Sequence, residues 1–266
     1  FNRPAAYMAV MLNGDGSIGQ AERYSEDAAV VGTFPHQVLP LPEGDEVILT
    51  CRGDDPTGGE PEHPGSLRIL RPNPLGKMEC IQAVAPGSGF GFGPRNCAFH
   101  PSLPVLYAVL ERQNAFAMFG RSGRELAEKP AALLSTLLPD GPAPVAQLAG
   151  DLCVHPSGRA AYVLNRANLS VNASGENSVA VFGLDETTGI PRYESSIRLP
   201  GQRPRTVAIT SRGDRLAVTA MGHGASEPAT VCLFAIDPDG LPRLEAQTAV
   251  EWADTAVMWA AFQGSN

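Results

Sequence analysis

Apolar runs of strand length recur along this chain, each closed by a turn rich in Gly, Pro, Asp or Ser, and no helical spacing of apolar residues joins them. Four of these runs open the same hairpin phrase: Pro35–Cys51, Pro94–Val109, Ala149–Leu164 and Pro204–Thr219. With Pro42, Pro101, Pro156 and Ser211 superimposed as turn anchors, the steps between them are 59, 55 and 55 residues. A period near 55 built from hairpins predicts a radial β-array, an all-β fold of the β-propeller type.

A second element alternates with the first: an apolar strand, a Gly-containing turn, then a polar strand. It occurs at Met8–Ala21, Leu67–Ile81, Ala115–Glu128, Val179–Tyr193 and Val231–Leu244. Turns such as Asp15-Gly16, Ser122-Gly123 and Asp239-Gly240 give the backbone freedom that tight hairpins need. Each repeat therefore predicts two hairpins, the four strands of one propeller blade. Four blades are complete, preceded by an outer hairpin and followed by a lone apolar strand at Thr255–Phe262. The whole chain, residues 1–266, reads as one propeller domain.

The repeat also sorts polar residues by position. Six residues before each anchor stand His36, Arg95, Gly150 and Arg205, and ten residues after it stand Arg52, Glu111, Arg166 and Met221. By a two-residue period the two sets are cross-strand neighbours at the open end of each hairpin. Radial repetition would then gather His, Arg and Glu on one face, a candidate site for a small anion.

Composition narrows the partners. The net charge of −8 argues against nucleic acid and anionic membranes, so an arginine-containing site would be a local exception to an acidic surface. Five cysteines, Cys51, Cys80, Cys97, Cys153 and Cys232, are odd in number and lack CxxC spacing, which predicts reduced, buried thiols and no zinc site. No run approaches about 18 apolar residues, so no membrane span is expected. Phe1–Val10 has no basic region followed by an apolar core. That reads as a cytoplasmic protein unless a leader has been removed.

Several residues then fall into a familiar order: Gly93-Pro94-Arg95-Asn96, Phe99-His100-Pro101, Glu111, Ala161-Tyr162-Val163-Leu164-Asn165-Arg166, Pro204-Arg205 and Met258-Trp259. This order resembles the seven-bladed lactonase propellers, which include 6-phosphogluconolactonases and 3-carboxy-cis,cis-muconate cyclases. Against that layout the chain would enter at the outer hairpin of a third blade, with about two blades expected ahead of it; a closed five-bladed ring is the alternative. The resemblance implies His36, Arg95, Glu111 and Arg166 as the catalytic constellation. Arg52 and Arg205 share its repeat positions and Asn96 and Asn165 adjoin it, so these four read as substrate-binding residues. The family commonly has His where Asn96 stands.

What the resemblance implies is a lactonase acting on a sugar lactone such as 6-phosphogluconolactone, with neither metal nor cofactor. The alternatives are a lactonising muconate-type cycloisomerase and a noncatalytic propeller that binds a ligand or protein. Glu111 or His36 would activate water and the guanidinium groups would hold an oxyanion or a polycarboxylate. An ordinary Arg95–Glu111 ion pair is the structural alternative for those two. His100 and His155, each one residue before an anchor, read as turn-packing residues. Gly87–Gly93 lacks the following helix of a phosphate loop, and Asp237–Gly240 lacks the ligands of a calcium loop. Asn168 and Asn172 match glycosylation acceptors in what reads as an exposed insertion, and Asp54–Gly65 reads as a flexible rim or lid beside Arg52.

Overall fold

The alternating apolar positions fold the chain into antiparallel hairpins. The computed structural model describes residues 5–24, 28–139, 147–167, 175–199, 202–222, 228–250 and 259–262. The first hairpin joins β1 (Tyr7–Leu12) to β2 (Ile18–Tyr24), a two-stranded sheet, and a single turn of helix, α1 (Ala28–Val31), follows. Blade I is β3 (Pro35–Pro40), β4 (Val47–Cys51), β5 (Ser66–Pro72) and β6 (Met78–Val84), paired in chain order. Blade II contains β7 (Pro94–Phe99), β8 (Val105–Leu110), β9 (Ala115–Ser122), β10 (Glu125–Leu126) and β11 (Ala132–Ser135). Blade III is β12 (Gln147–Val154), β13 (Ala160–Ala167), β14 (Ser178–Leu184) and β15 (Pro191–Arg198). Blade IV is β16 (Gln202–Ile209), β17 (Arg215–Met221), β18 (Thr230–Ile236) and β19 (Pro242–Ala249). The fold is all-β, a β-propeller of four-stranded blades.

Two compact units are present: Phe1–Cys97 with Gly120–Lys129, and Ala98–Phe119 with Pro130–Asn266. In the first, Val30, Val31, Leu49, Cys51 and Leu70 form a buried cluster against Tyr7, Met78 and Cys80. In the second, Tyr107, Val109 and Phe116 pack on Ala149, Val163 and Phe182, and a further cluster joins Tyr162, Leu164 and Val181 to Leu216, Val218 and Phe234. The middle strands explain their own composition: β8 and β13 are buried along their whole length, so both faces carry Val, Leu, Ala and Tyr. β19, at a sheet edge, is exposed along all but its first residue.

Blades II, III and IV are also latched through repeated side chains. His100 Nε2 lies 3.0 Å from the Gly158 carbonyl and His155 Nε2 lies 3.0 Å from that of Gly213. In each ring Nδ1 accepts a turn N–H, from Leu103 at 2.9 Å and from Ser157 at 3.1 Å, so Nε2 is the donor. Both glycines have φ 76°, and a Cβ there would come within 2.5 Å of His100 and 2.2 Å of His155. Tyr107 donates to the Gly189 carbonyl at 2.6 Å and Tyr162 to that of Gly240 at 2.8 Å. The two histidines are thus turn residues, as their position predicts.

Three expectations change. The outer strand of blade II is split into β10 and β11, with Ala127 bonding Gly120 and Ala131 bonding Met118 on either side of Pro130, which has no N–H to give. The segment after Arg52 is a small hairpin rather than a featureless loop, with bridges Asp54–His63 and Thr57–Glu60. Residues 259–262 form no strand, while the rest of the predicted terminal strand, together with Asn168 and Asn172, lies outside the described residues.

Candidate functional site

The closed ends of three inner hairpins share one register. The residue four before the anchor faces the residue seven after it: Val38 with Leu49, Leu152 with Val163, Val207 with Val218. Toward the open end the ladder slips by one residue, and the position seven before the anchor faces the position nine after it: Pro35 with Cys51, Ala149 with Asn165, Pro204 with Ala220. Each hairpin therefore carries a β-bulge at the same place. The extra residue is His36 in blade I and Arg205 in blade IV; in blade III the bulge spans Gly150 and Asp151. This corrects the cross-strand pairing expected from an uninterrupted two-residue period. Arg166 faces Leu148, not Gly150.

In the first unit, Arg95 and Asn96 lie buried on β7, and Arg95 Nη1 donates to Asn96 Oδ1 at 2.7 Å. Arg52 follows β4; its guanidinium carbon sits 4.5 Å from the Phe34 ring centre, with Asp54 at 3.5 Å and Asp55 at 3.8 Å. Phe34 itself has φ 52°, a left-handed conformation rare for an aromatic residue. His36 is half-buried in its bulge.

In the second unit, Glu111, the residue after β8, is ion-paired with Arg166 of β13, and both side chains are buried. The neighbouring strand explains why Arg166 is held there. Asn165 is fully buried; Thr136 donates its hydroxyl to Asn165 Oδ1 at 2.7 Å, and Asn165 Nδ2 donates to the Thr136 carbonyl at 2.6 Å. Its amide also reaches Ser178 Oγ at 3.3 Å, so the structure engages this side chain in fixing β13. Arg205 is half-buried in the bulge of β16.

The structure thus brings Glu111 to Arg166 and Arg95 to Asn96, and ties Arg52 to its own rim hairpin. Sequence reasoning missed Gln37, Thr50 and Asp151, which bond the bulged strands. The signal was available: the position five before each anchor is polar in every repeat, as Gln37, Asn96, Asp151 and Thr206. All five cysteines are free thiols. Burial pushes the Cys51 thiol up to about 11, against the Arg68 charge, and raises that of Cys97 further, so neither is a ready nucleophile. Among the described residues no group of three His, Cys, Asp or Glu side chains is arranged around a metal position, and no helix is long and apolar enough to cross a membrane. Two open surface clefts, of about 510 and 830 Å³, contain none of the eight candidate residues.

Successive antiparallel, mostly four-stranded sheets define a β-propeller, and comparison with known proteins agrees on that class. The profile of the family described as "Lactonase, 7-bladed beta-propeller" matches residues 77–250, and the chain belongs to that family. Among solved structures, a protein from Lactobacillus plantarum is similar at 16% identity and a TM-score of 0.71, over 96% of this chain and 67% of that one. The periplasmic gluconolactonase of Pseudomonas aeruginosa matches at 20% identity and 0.68, over 95% and 65%. A Bacteroides fragilis protein described as a candidate 6-phosphogluconolactonase matches at 18% and 0.65, over 94% and 66%. The chain therefore spans about two thirds of the length of these relatives. At such identities the likeness is one of fold. No curated protein sequence matches.

Proposed function

We propose that this chain carries part of a lactone-hydrolysing propeller and that its substrate is a small anionic sugar lactone of the 6-phosphogluconolactone type. The observation that carries this reading is the buried Glu111–Arg166 pair at the open end of successive inner hairpins, in a chain of the lactonase family. In hydrolysis the Glu111 carboxylate or the His36 imidazole takes a proton from water as its oxygen attacks the lactone carbonyl. Charge gathers on the carbonyl oxygen, where the fork of Arg95 or Arg166 donates to it. The ring C–O bond then breaks, its oxygen takes a proton, and a hydroxy acid leaves. Arg52, Arg205, Asn96 and Asn165 belong in this reading to the surroundings that receive the substrate's anionic group and hydroxyls.

The test is a pH-stat assay with gluconolactone and 6-phosphogluconolactone, run beside 3-carboxymuconate. Acid release from a lactone, lost in folded Glu111→Gln and Arg95→Ala variants, is the expected result. Wild-type rates in both variants would remove these residues from the mechanism. Consumption of the muconate without lactone hydrolysis would favour the cyclising reaction, and heat of binding without turnover would favour a noncatalytic propeller.

A further inference from the structure

The bulges divert backbone groups out of their own ladders, and side chains take them up. Gln37, next to the bulge residue His36, gives its N–H to Thr50 Oγ1 at 2.9 Å. Thr206, next to Arg205, gives its N–H to Thr219 Oγ1 at 3.2 Å, the same bond at the same repeat positions. The side chains beyond the bulges then reach the next repeat. Gln37 Oε1 accepts the Cys97 N–H at 2.6 Å, and Asp151 Oδ2 accepts the Val207 N–H at 3.1 Å. Cys97 and Val207 again occupy equivalent positions, each two residues beyond a candidate arginine, Arg95 and Arg205. Blade I adds a second hold: the Thr50 hydroxyl donates to the Arg95 carbonyl at 2.6 Å.

We propose that Gln37 is a positioning residue for Arg95, as Asp151 is for Arg205: each clamps the backbone beyond the arginine and so sets where the guanidinium points. This rests on the lactonase reading for its kinetic consequence, but not for the clamp itself. With Arg95 O and Cys97 N both tied to blade I, the peptide units flanking Asn96 cannot rotate, and the Arg95 fork keeps one direction. A guanidinium that wanders by an ångström loses on the order of 100-fold in rate, because oriented donors act only near their productive geometry. Asn96, at the Gln37 position of blade II, meets the guanidinium directly through its own Oδ1.

The experiment compares wild type, Gln37→Met, which keeps length and removes the acceptor, and Gln37→Glu, which keeps the acceptor oxygen. Amide exchange at Cys97 and steady-state kinetics on the lactone are measured for each folded protein. Gln37→Met should speed exchange at Cys97 by about tenfold or more and lower kcat/KM by about 10- to 100-fold, and Gln37→Glu should restore most of both. A Gln37→Met protein with unchanged kcat and KM, unchanged Cys97 exchange, or a defect that Gln37→Glu does not relieve overturns the proposal. Should the wild type turn over no lactone, the functional reading fails by itself. Cys97 exchange in the same three proteins then decides whether the clamp exists.

Discussion

Replacing Arg166 with Met should take from the buried Glu111 carboxylate the guanidinium held against it, and the cost follows from burial. The two side chains are 5% and 6% exposed, so solvent screens neither charge appreciably. Removing one partner of such a pair costs about 3–5 kcal/mol, because the survivor keeps its desolvation penalty and loses the attraction of that partner. For a urea dependence of about 2 kcal/mol per M, the unfolding midpoint should fall by about 2 M. Glu111→Gln keeps a hydrogen-bond acceptor and should cost less, about 2 kcal/mol. The double variant Glu111→Leu/Arg166→Met removes both charges and should recover much of the loss, so the two effects will not add. The assay is urea unfolding of the chain followed by circular dichroism, with all four proteins at one pH and salt concentration. An Arg166→Met unfolding free energy within about 0.5 kcal/mol of wild type would mean a solvated pair, since exposed ion pairs contribute about that much. A folded double variant also serves the functional question. If it still hydrolyses lactone, the pair is scaffold and not chemistry.

The remaining predictions concern the latches. Tyr107→Phe and Tyr162→Phe each remove one buried hydrogen bond, to Gly189 and Gly240, and should each lower stability by about 1 kcal/mol; the double variant should show nearly the sum in the same unfolding assay. Glu46 accepts from Arg71 at 3.0 Å and Arg124 at 2.8 Å, and the Arg71 bond above all holds its carboxyl below the usual 4.5. Its contribution is therefore complete above the unfolded carboxylate value and disappears as pH falls through the lowered folded value. Glu46→Gln should flatten the acid limb of a stability–pH curve, and an unaltered limb would show that the two arginines do not favour the ionised form.

Much of the architecture was legible because the closed ends of the hairpins are regular. Pairing between the fourth residue before and the seventh after each anchor preserves the alternation that made Pro42, Pro156 and Ser211 superimpose. The open ends were not legible to the same degree. One extra residue in a strand changes no composition and leaves the turn untouched, yet it reverses which side chains face each other beyond it. Hence the positions of His36 and Arg205 were found while their register was misjudged. The sequence also held no information on which guanidinium Glu111 would meet. Blade packing brings Arg166, 55 residues on, to its carboxylate.

The repeat separates two tasks between the turn and the open end of its inner hairpins. Near the turn, His100, His155, Tyr107 and Tyr162 bond the backbone carbonyls of glycines in the next blade, contacts that depend on geometry and tolerate no substituent at Gly158 or Gly213. At the far end the inner hairpins of blades I, III and IV bulge, and the bulge position carries His36, Gly150 and Arg205 respectively. Gln37, Thr50, Asp151 and Thr219 accept backbone N–H groups there and restrain the strands around the bulge residue. On the lactonase reading, substitution of the bulge residue His36 should change kcat/KM for the lactone, whereas substitution of Gln37, which follows it and bonds Thr50 and Cys97, should also lower the midpoint of urea unfolding.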